Sequence, residues 1–202
     1  MVPEAVSTMM GGYYESHTGV HLSRPLIIAS LPGGRGDEVA HALASMTGLP
    51  LAHVDVHLMH RTGMGLASDV QSKGLNAMQI EKTKVLHAAM QRTPHPIIAL
   101  GDVSVMAPSV WEEVRRSADT LYVEWSDLEM LSLLGQVSAM KRRQYWQLAE
   151  VSFDGFDDVT RCFSASRAVL RECHQILSGR GRSSLELAGD VMQMMNLTTS
   201  KP

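Results

Sequence analysis

The stretch Pro25-Leu26-Ile27-Ile28-Ala29-Ser30-Leu31-Pro32-Gly33-Gly34-Arg35-Gly36-Asp37-Glu38-Val39 decides the fold. Leu26 to Ala29 is a continuous apolar run, the pattern of a strand buried on both faces of a parallel sheet. A glycine-rich turn follows at once. Val39, Leu43 and Met46 then recur at helical spacing. The reading is therefore a strand over 25–30, a tight loop, and a helix from Asp37 to Met46 that Gly48 and Pro50 bring to an end.

The same alternation continues along the chain. A second strand is expected over Leu51–Asp55 and a long helix over Asn76–Arg92, with Ile80, Lys84, His87 and Met90 on neighbouring faces. Pro96–Leu100 reads as a third strand ending in Gly101-Asp102. Pro108 is suited to open a helix running to about Ser117. Thr120–Glu124 reads as a fourth strand. Ser126 with Glu129 three residues on forms a capping box for the next helix. Leu148–Phe153 reads as a short fifth strand and Val159–Leu177 as a helix stopped by Gly179 and Gly181. Strand–helix alternation implies right-handed crossovers and a three-layer α/β/α domain with a parallel sheet. Its ligands would bind at the carboxyl ends of the strands. These are Ser30–Gly36, Asp55, Gly101–Ser104 and Glu124–Ser126. Three regions result: a flexible arm over 1–23, the α/β domain over 24–178, and a tail over 179–202 with a weak amphipathic helix, Ser184–Leu197.

Composition narrows the classes. The chain has 202 residues, enough to bury a full core as one domain. Apolar residues make up 45% and charged residues 19%, which is globular composition. A formal net charge of −3 gives no electrostatic case for binding nucleic acid or an anionic membrane. No apolar run has the length of a membrane span. Met1 to Gly19 lacks a basic and then apolar leader, so no signal peptide is expected. Cys162 and Cys173, placed in one helix about 16 Å apart, are too distant for a disulfide and read as buried thiols. The expectation is a soluble protein of a reducing compartment, the cytoplasm. The 14 methionines read first as core filling and second as an adaptable interface.

A loop that grips phosphate needs inward-pointing amides from glycines, a lysine for the terminal phosphates, and Ser or Thr for magnesium. This degenerate loop, Gly33 to Glu38, keeps Gly34 and Gly36 and loses the rest. With Gly36 as the last glycine, Leu31 stands where the first belongs, Asp37 where the lysine belongs, and Glu38 where the Ser or Thr belongs. A phosphate tail would meet two carboxylates, and like charges at about 4 Å repel by about 1 kcal/mol even in bulk water. Asp37 and Glu38 also suit the positive end of the helix dipole. They are read as satisfying the helix end, with an anion site using Arg35 as the alternative.

The order of the remaining loops points to a family. His53-Val54-Asp55 precedes Arg61-Thr62-Gly63. Then come Ala99-Leu100-Gly101-Asp102-Val103-Ser104 and Lys141-Arg142-Arg143-Gln144-Tyr145, with Ala149-Glu150 behind. Across residues 25 to 178 this order and spacing resemble shikimate kinase, a small P-loop kinase. The resemblance implies a five-stranded parallel sheet and phosphate transfer from ATP, with magnesium, to a hydroxyl of shikimate. It implies that Asp55 takes the place of the aspartate that contacts substrate hydroxyls. His53 replaces that residue's magnesium-side partner, while Arg61-Thr62-Gly63 matches. The family's substrate-binding arginine has no counterpart among Ala77, Met78 and Gln79. Gly101-Asp102-Val103 stands where the family has three glycines. The arginine-rich lid has no room; Arg142 and Arg143 are either its remnants or a solvated basic face.

Phosphoryl transfer depends on positioning and on charge stabilisation by lysine, arginine and metal. With so many of these parts altered, the reading is a noncatalytic protein with a degenerate Walker A loop. It would bind a protein partner, itself, or a small ligand in the old substrate cleft formed by Asp55, Arg61, Gly101, Asp102, Arg142 and Arg143. No cofactor is expected. The alternative is an atypical ATP- and magnesium-dependent phosphotransferase that uses Arg35 and Arg142/Arg143. His53, Asp55 and His57 alternate as zinc ligands on a strand would. A helix starting after Asp55 would scatter them, leaving histidines around an empty cleft. Asp102 and Ser104 read as caps of the following turn, and Trp125 and Trp146 as packing residues or as walls of the former nucleotide cleft.

Overall fold

A computed structural model describes residues 20–31, 34–63, 72–101, 103, 106–130, 132, 163–164 and 166–197. Five parallel strands form one sheet in the order β2-β3-β1-β4-β5. The strands are β1 (Leu26–Ser30), β2 (Leu51–His53), β3 (Ile97–Ala99), β4 (Asp119–Glu124) and β5 (Gln175–Ser178). The helices named below are α1 (Gly36–Thr47), α2 (Val54–Thr62), α3 (Leu75–Met90), α4 (Pro108–Ser117) and α5 (Ser184–Met194). The architecture is α/β with helices layered on a central parallel sheet, as the alternation predicts.

β1 is the centre of the molecule. Every one of its residues is buried, and it pairs with β3 on one side and β4 on the other, Ile28 opposite Ala99 and Leu121. This is why its sequence is apolar without alternation. α1 leaves the end of β1 and buries Val39, Ala40 and Leu43; Met46 is partly exposed instead. Gly48, at φ 70°, closes α1 in the left-handed conformation, with its amide donating to the Ala44 carbonyl at 2.8 Å.

Several elements differ from the sequence reading. α2 starts at Val54, so Asp55 lies in its first turn and not at a strand end. The buried stripe of α3 is Met78, Lys82, Val85, Leu86 and Ala89, while Ile80 is 58% exposed. The fifth strand is β5, inside the stretch read as the end of a helix; Leu148–Phe153 lies outside the described residues. Helical residues stop near Leu170 because β4 captures the segment beyond it. The His174 amide donates to Thr120 Oγ1 at 3.0 Å, the Thr120 amide donates to His174 Nδ1 at 3.2 Å, and Tyr122 pairs with Ile176. Cys173 is buried beside this junction, and burial pushes its thiol up to about 12. Cys162 lies outside the described residues.

Both ends of the described chain join the core. Val20, assigned to the arm, is buried. α5, assigned to the tail, packs along α1 through Leu187, Ala188 and Val191. A capping box starts α5: Ser183 Oγ accepts from the Glu186 amide at 3.3 Å, and Glu186 accepts from the Ser183 amide at 2.7 Å. Met192 and Met195 pack against the core and Leu197 is buried. Met192 and Met195 of the methionine-rich tail thus contribute to core packing, while Met194 is 38% exposed. Among the described residues no helix is long and apolar enough to cross a membrane.

Candidate functional site at the carboxyl ends of the strands

Ser30, the last residue of β1, organises the glycine loop. Its hydroxyl donates to the Gly34 carbonyl at 2.7 Å and accepts from the Gly36 amide at 3.1 Å. The Gly34 amide donates to the Leu31 carbonyl at 2.8 Å. A Cβ on Gly36 would stand 2.6 Å from Ser30 Oγ, so the tight turn requires glycine there. The loop therefore spends the Gly36 amide, which a phosphate loop would aim at its ligand, on its own side chain.

The head of α1 is acidic and internally engaged. Both Arg35 Nε and Nη2 lie 2.7 Å from Glu38 Oε2, and Ser184 Oγ on α5 donates to the same oxygen at 2.8 Å. Burial pushes the Glu38 carboxyl upward, but the bonds from Arg35 and Ser184 prevail and hold it below the usual range. Asp37 goes the other way. Burial in the cleft, then the nearby Asp55 carboxylate, raise it, against weaker opposing pulls from His53 and Lys82. The loop thus presents a reluctant carboxylate where a lysine would stand, and its arginine is already paired.

Asp55 faces this head from α2. Lys82 Nζ donates to Asp55 Oδ1 at 2.6 Å. The lysine side chain is 0% exposed and the aspartate 16%. The second carboxylate oxygen is walled by Gly101, where a Cβ would lie 1.9 Å from Oδ2. Gly101 adopts φ +71°, which also favours glycine. The sequence reading found Asp55 and Gly101 but did not single out Lys82. The signal was present: Met78, Lys82, Val85, Leu86 and Ala89 follow the 3.6-residue stripe, so Lys82 belongs to the inward face.

Trp125 closes the other side. It follows β4 and is 6% exposed. A Cβ on Gly34 would stand 3.0 Å from its Cδ1, and one on Gly179 would stand 2.7 Å from its Cε2. The indole therefore lies between the loop after β1 and the loop after β5. In the order β2-β3-β1-β4-β5 the connections diverge between β1 and β4, the crevice where open α/β sheets take ligands.

The other predicted residues disperse. Arg61 sits on a different face of α2 from Asp55 and pairs with Glu81 at 3.1 Å. Together with Thr62, Lys73, Ala77 and Ile80 they line an open cavity of about 480 Å³ between the end of α2 and the start of α3. His57 Nε2 lies 3.1 Å from Arg92 Nη2; burial, then Arg92, holds its imidazole below the usual range. His53, Asp55 and His57 thus have different surroundings. Among the described residues no three His, Cys, Asp or Glu side chains are grouped to hold a metal. Gly33, Asp102, Ser104, Arg142, Arg143 and Trp146 lie outside the described residues.

Comparison with solved structures finds this architecture in shikimate kinases. The enzyme from Acinetobacter baumannii, in complex with shikimate, superposes with a TM-score of 0.71 at 17% identity, covering 89% of this chain and 97% of that one. The shikimate kinase from Bacteroides thetaiotaomicron gives 0.72 at 13% identity, covering 86% and 99%. That from Aquifex aeolicus gives 0.62 at 13%, covering 86% and 96%. Identities this low establish the fold alone. A search of curated protein sequences finds no match. The shikimate kinase family model, however, matches residues 37–196, most of the chain, and its match begins at the altered head of α1. The chain belongs to the shikimate kinase family.

Proposed function

We propose that this protein is a noncatalytic member of its family. It acts by binding a protein partner or a small ligand at the carboxyl ends of its strands. The observation that carries this reading is the pair Asp37–Glu38 at the head of α1. In a phosphate loop those positions supply an ammonium and a metal-binding hydroxyl. Here they supply two carboxylates, one of them held by Arg35 and Ser184. Catalysis of phosphoryl transfer comes almost wholly from positioned positive charge, so reversing the charge removes the main source of rate. Trp125, filling the space between Gly34 and Gly179, supports the same reading.

One observation favours the second reading, an atypical ATP phosphotransferase. Lys82 returns an ammonium to the strand ends from a different element. Against it, that ammonium is fully buried on Asp55, and Arg35, the loop's own cation, is paired with Glu38.

A thermal-shift panel separates the two. A ligand at a hundred times its dissociation constant adds about 2.7 kcal/mol of stability. The noncatalytic reading expects no shift with ATP·Mg or ADP, and it expects light scattering or co-purification of the full chain to reveal a partner or self-association. A nucleotide-dependent shift of that size would favour the phosphotransferase.

A further inference from the structure

We propose that Lys82 is a built-in occupant of the cleft: its ammonium fills, from within the chain, the cationic place that Asp55 would otherwise offer to an outside ligand. The inference goes beyond loss of turnover, since a chain without turnover could still take up a cation or a cationic ligand here.

Lysine is almost never fully buried unless paired, because its charge must be compensated and its long side chain immobilised. Lys82 is 0% exposed, and its Nζ is 2.6 Å from Asp55 Oδ1. Gly101 covers Oδ2 so closely that no Cβ fits. The ammonium thus holds Oδ1 of Asp55, and the Gly101 backbone packs against Oδ2. The side chain reaches this point from the inward stripe of α3, between Met78 and Leu86, both with no exposed surface. Removing the ammonium takes away the buried counter-charge that Asp55 has from Lys82, beside the Asp37 carboxylate. An ammonium tethered to the same chain acts at an effective concentration that a free small cation does not match. The wild-type cleft is accordingly saturated with cation before any ligand arrives.

The test is chemical rescue. Lys82→Ala removes Cγ, Cδ, Cε and Nζ, the atoms of n-propylammonium. Melting curves of the wild-type chain and of Lys82→Ala are recorded with n-propylammonium chloride, with sodium chloride at equal ionic strength, and with n-propanol. The proposal expects a lowered melting temperature for Lys82→Ala. It expects n-propylammonium to raise that temperature by about 3 °C or more at saturating concentration, with no such rise from propanol or for wild type. An equal response of both proteins, or no greater response to the amine than to propanol, would overturn it. If Lys82→Ala does not fold, Lys82→Met and Lys82→Met/Asp55→Asn decide. The proposal requires the double variant to be the more stable of the two; equal melting temperatures overturn it. The noncatalytic reading is tested separately by turnover, so the two can fail independently.

Discussion

Gly101 approaches Asp55 so closely that a Cβ at position 101 would overlap Oδ2 at 1.9 Å. Gly101 is also in the left-handed region, at φ +71°. Two costs are superimposed there, one from the backbone and one from the carboxylate. Gly63 provides the comparison, since it has φ +78° and nothing within 4 Å of a built Cβ. Gly63→Ala should cost about 1–2 kcal/mol from backbone conformation alone. Gly101→Ala should cost clearly more in a urea melt. In an Asp55→Ala background the excess at 101 should fall toward the value at 63, a coupling that a double-mutant cycle measures.

Trp125 should be a major element of stability and not a loose wall. Its indole is packed on the faces that Gly34 and Gly179 leave bare. Trp125→Ala should lose about 3–5 kcal/mol in denaturant unfolding. Gly179→Ala forces a Cβ within 2.7 Å of the ring. It should destabilise wild type but be much milder in the Trp125→Ala background, where the ring is gone.

Asp37 should make the protein less stable as its carboxylate ionises. Its folded pKa is raised by burial and then by Asp55. A group raised on folding contributes stability that is full below its unfolded pKa and is lost as pH rises through the folded one. Asp37→Asn should therefore be more stable than wild type at pH 7. The advantage should shrink as pH falls through the raised folded pKa and be gone below about 4, where the unfolded carboxyl is itself protonated. Urea midpoints of the two proteins across pH 3–7 check both the sign and the window.

Much of the fold was legible because it obeys local rules. β1 is an uninterrupted apolar run because both of its faces are covered. Gly48 closes α1, Pro108 opens α4, and Ser126 with Glu129 forms the cap that their spacing implies. β5 escaped notice because Gln175, Ile176 and Ser178 are exposed and only Leu177 is buried. Its strand state comes from pairing with β4, which no local pattern records. The site divides the same way. Asp37, Glu38, Asp55 and Gly101 could be placed from loop order. Lys82 was passed over, because a charged residue on a buried stripe becomes intelligible only once its partner, here Asp55, is known. The bond from Ser184 to Glu38 joins residues far apart in sequence, and only the packing of α5 along α1 creates it.

Loss of phosphoryl transfer is the central claim. The direct measurement is a coupled assay of ADP release by the full chain with ATP, magnesium and shikimate, run beside Asp55→Asn. A noncatalytic protein gives no turnover above background and no difference between the two proteins. Turnover by wild type that Asp55→Asn abolishes would contradict the claim.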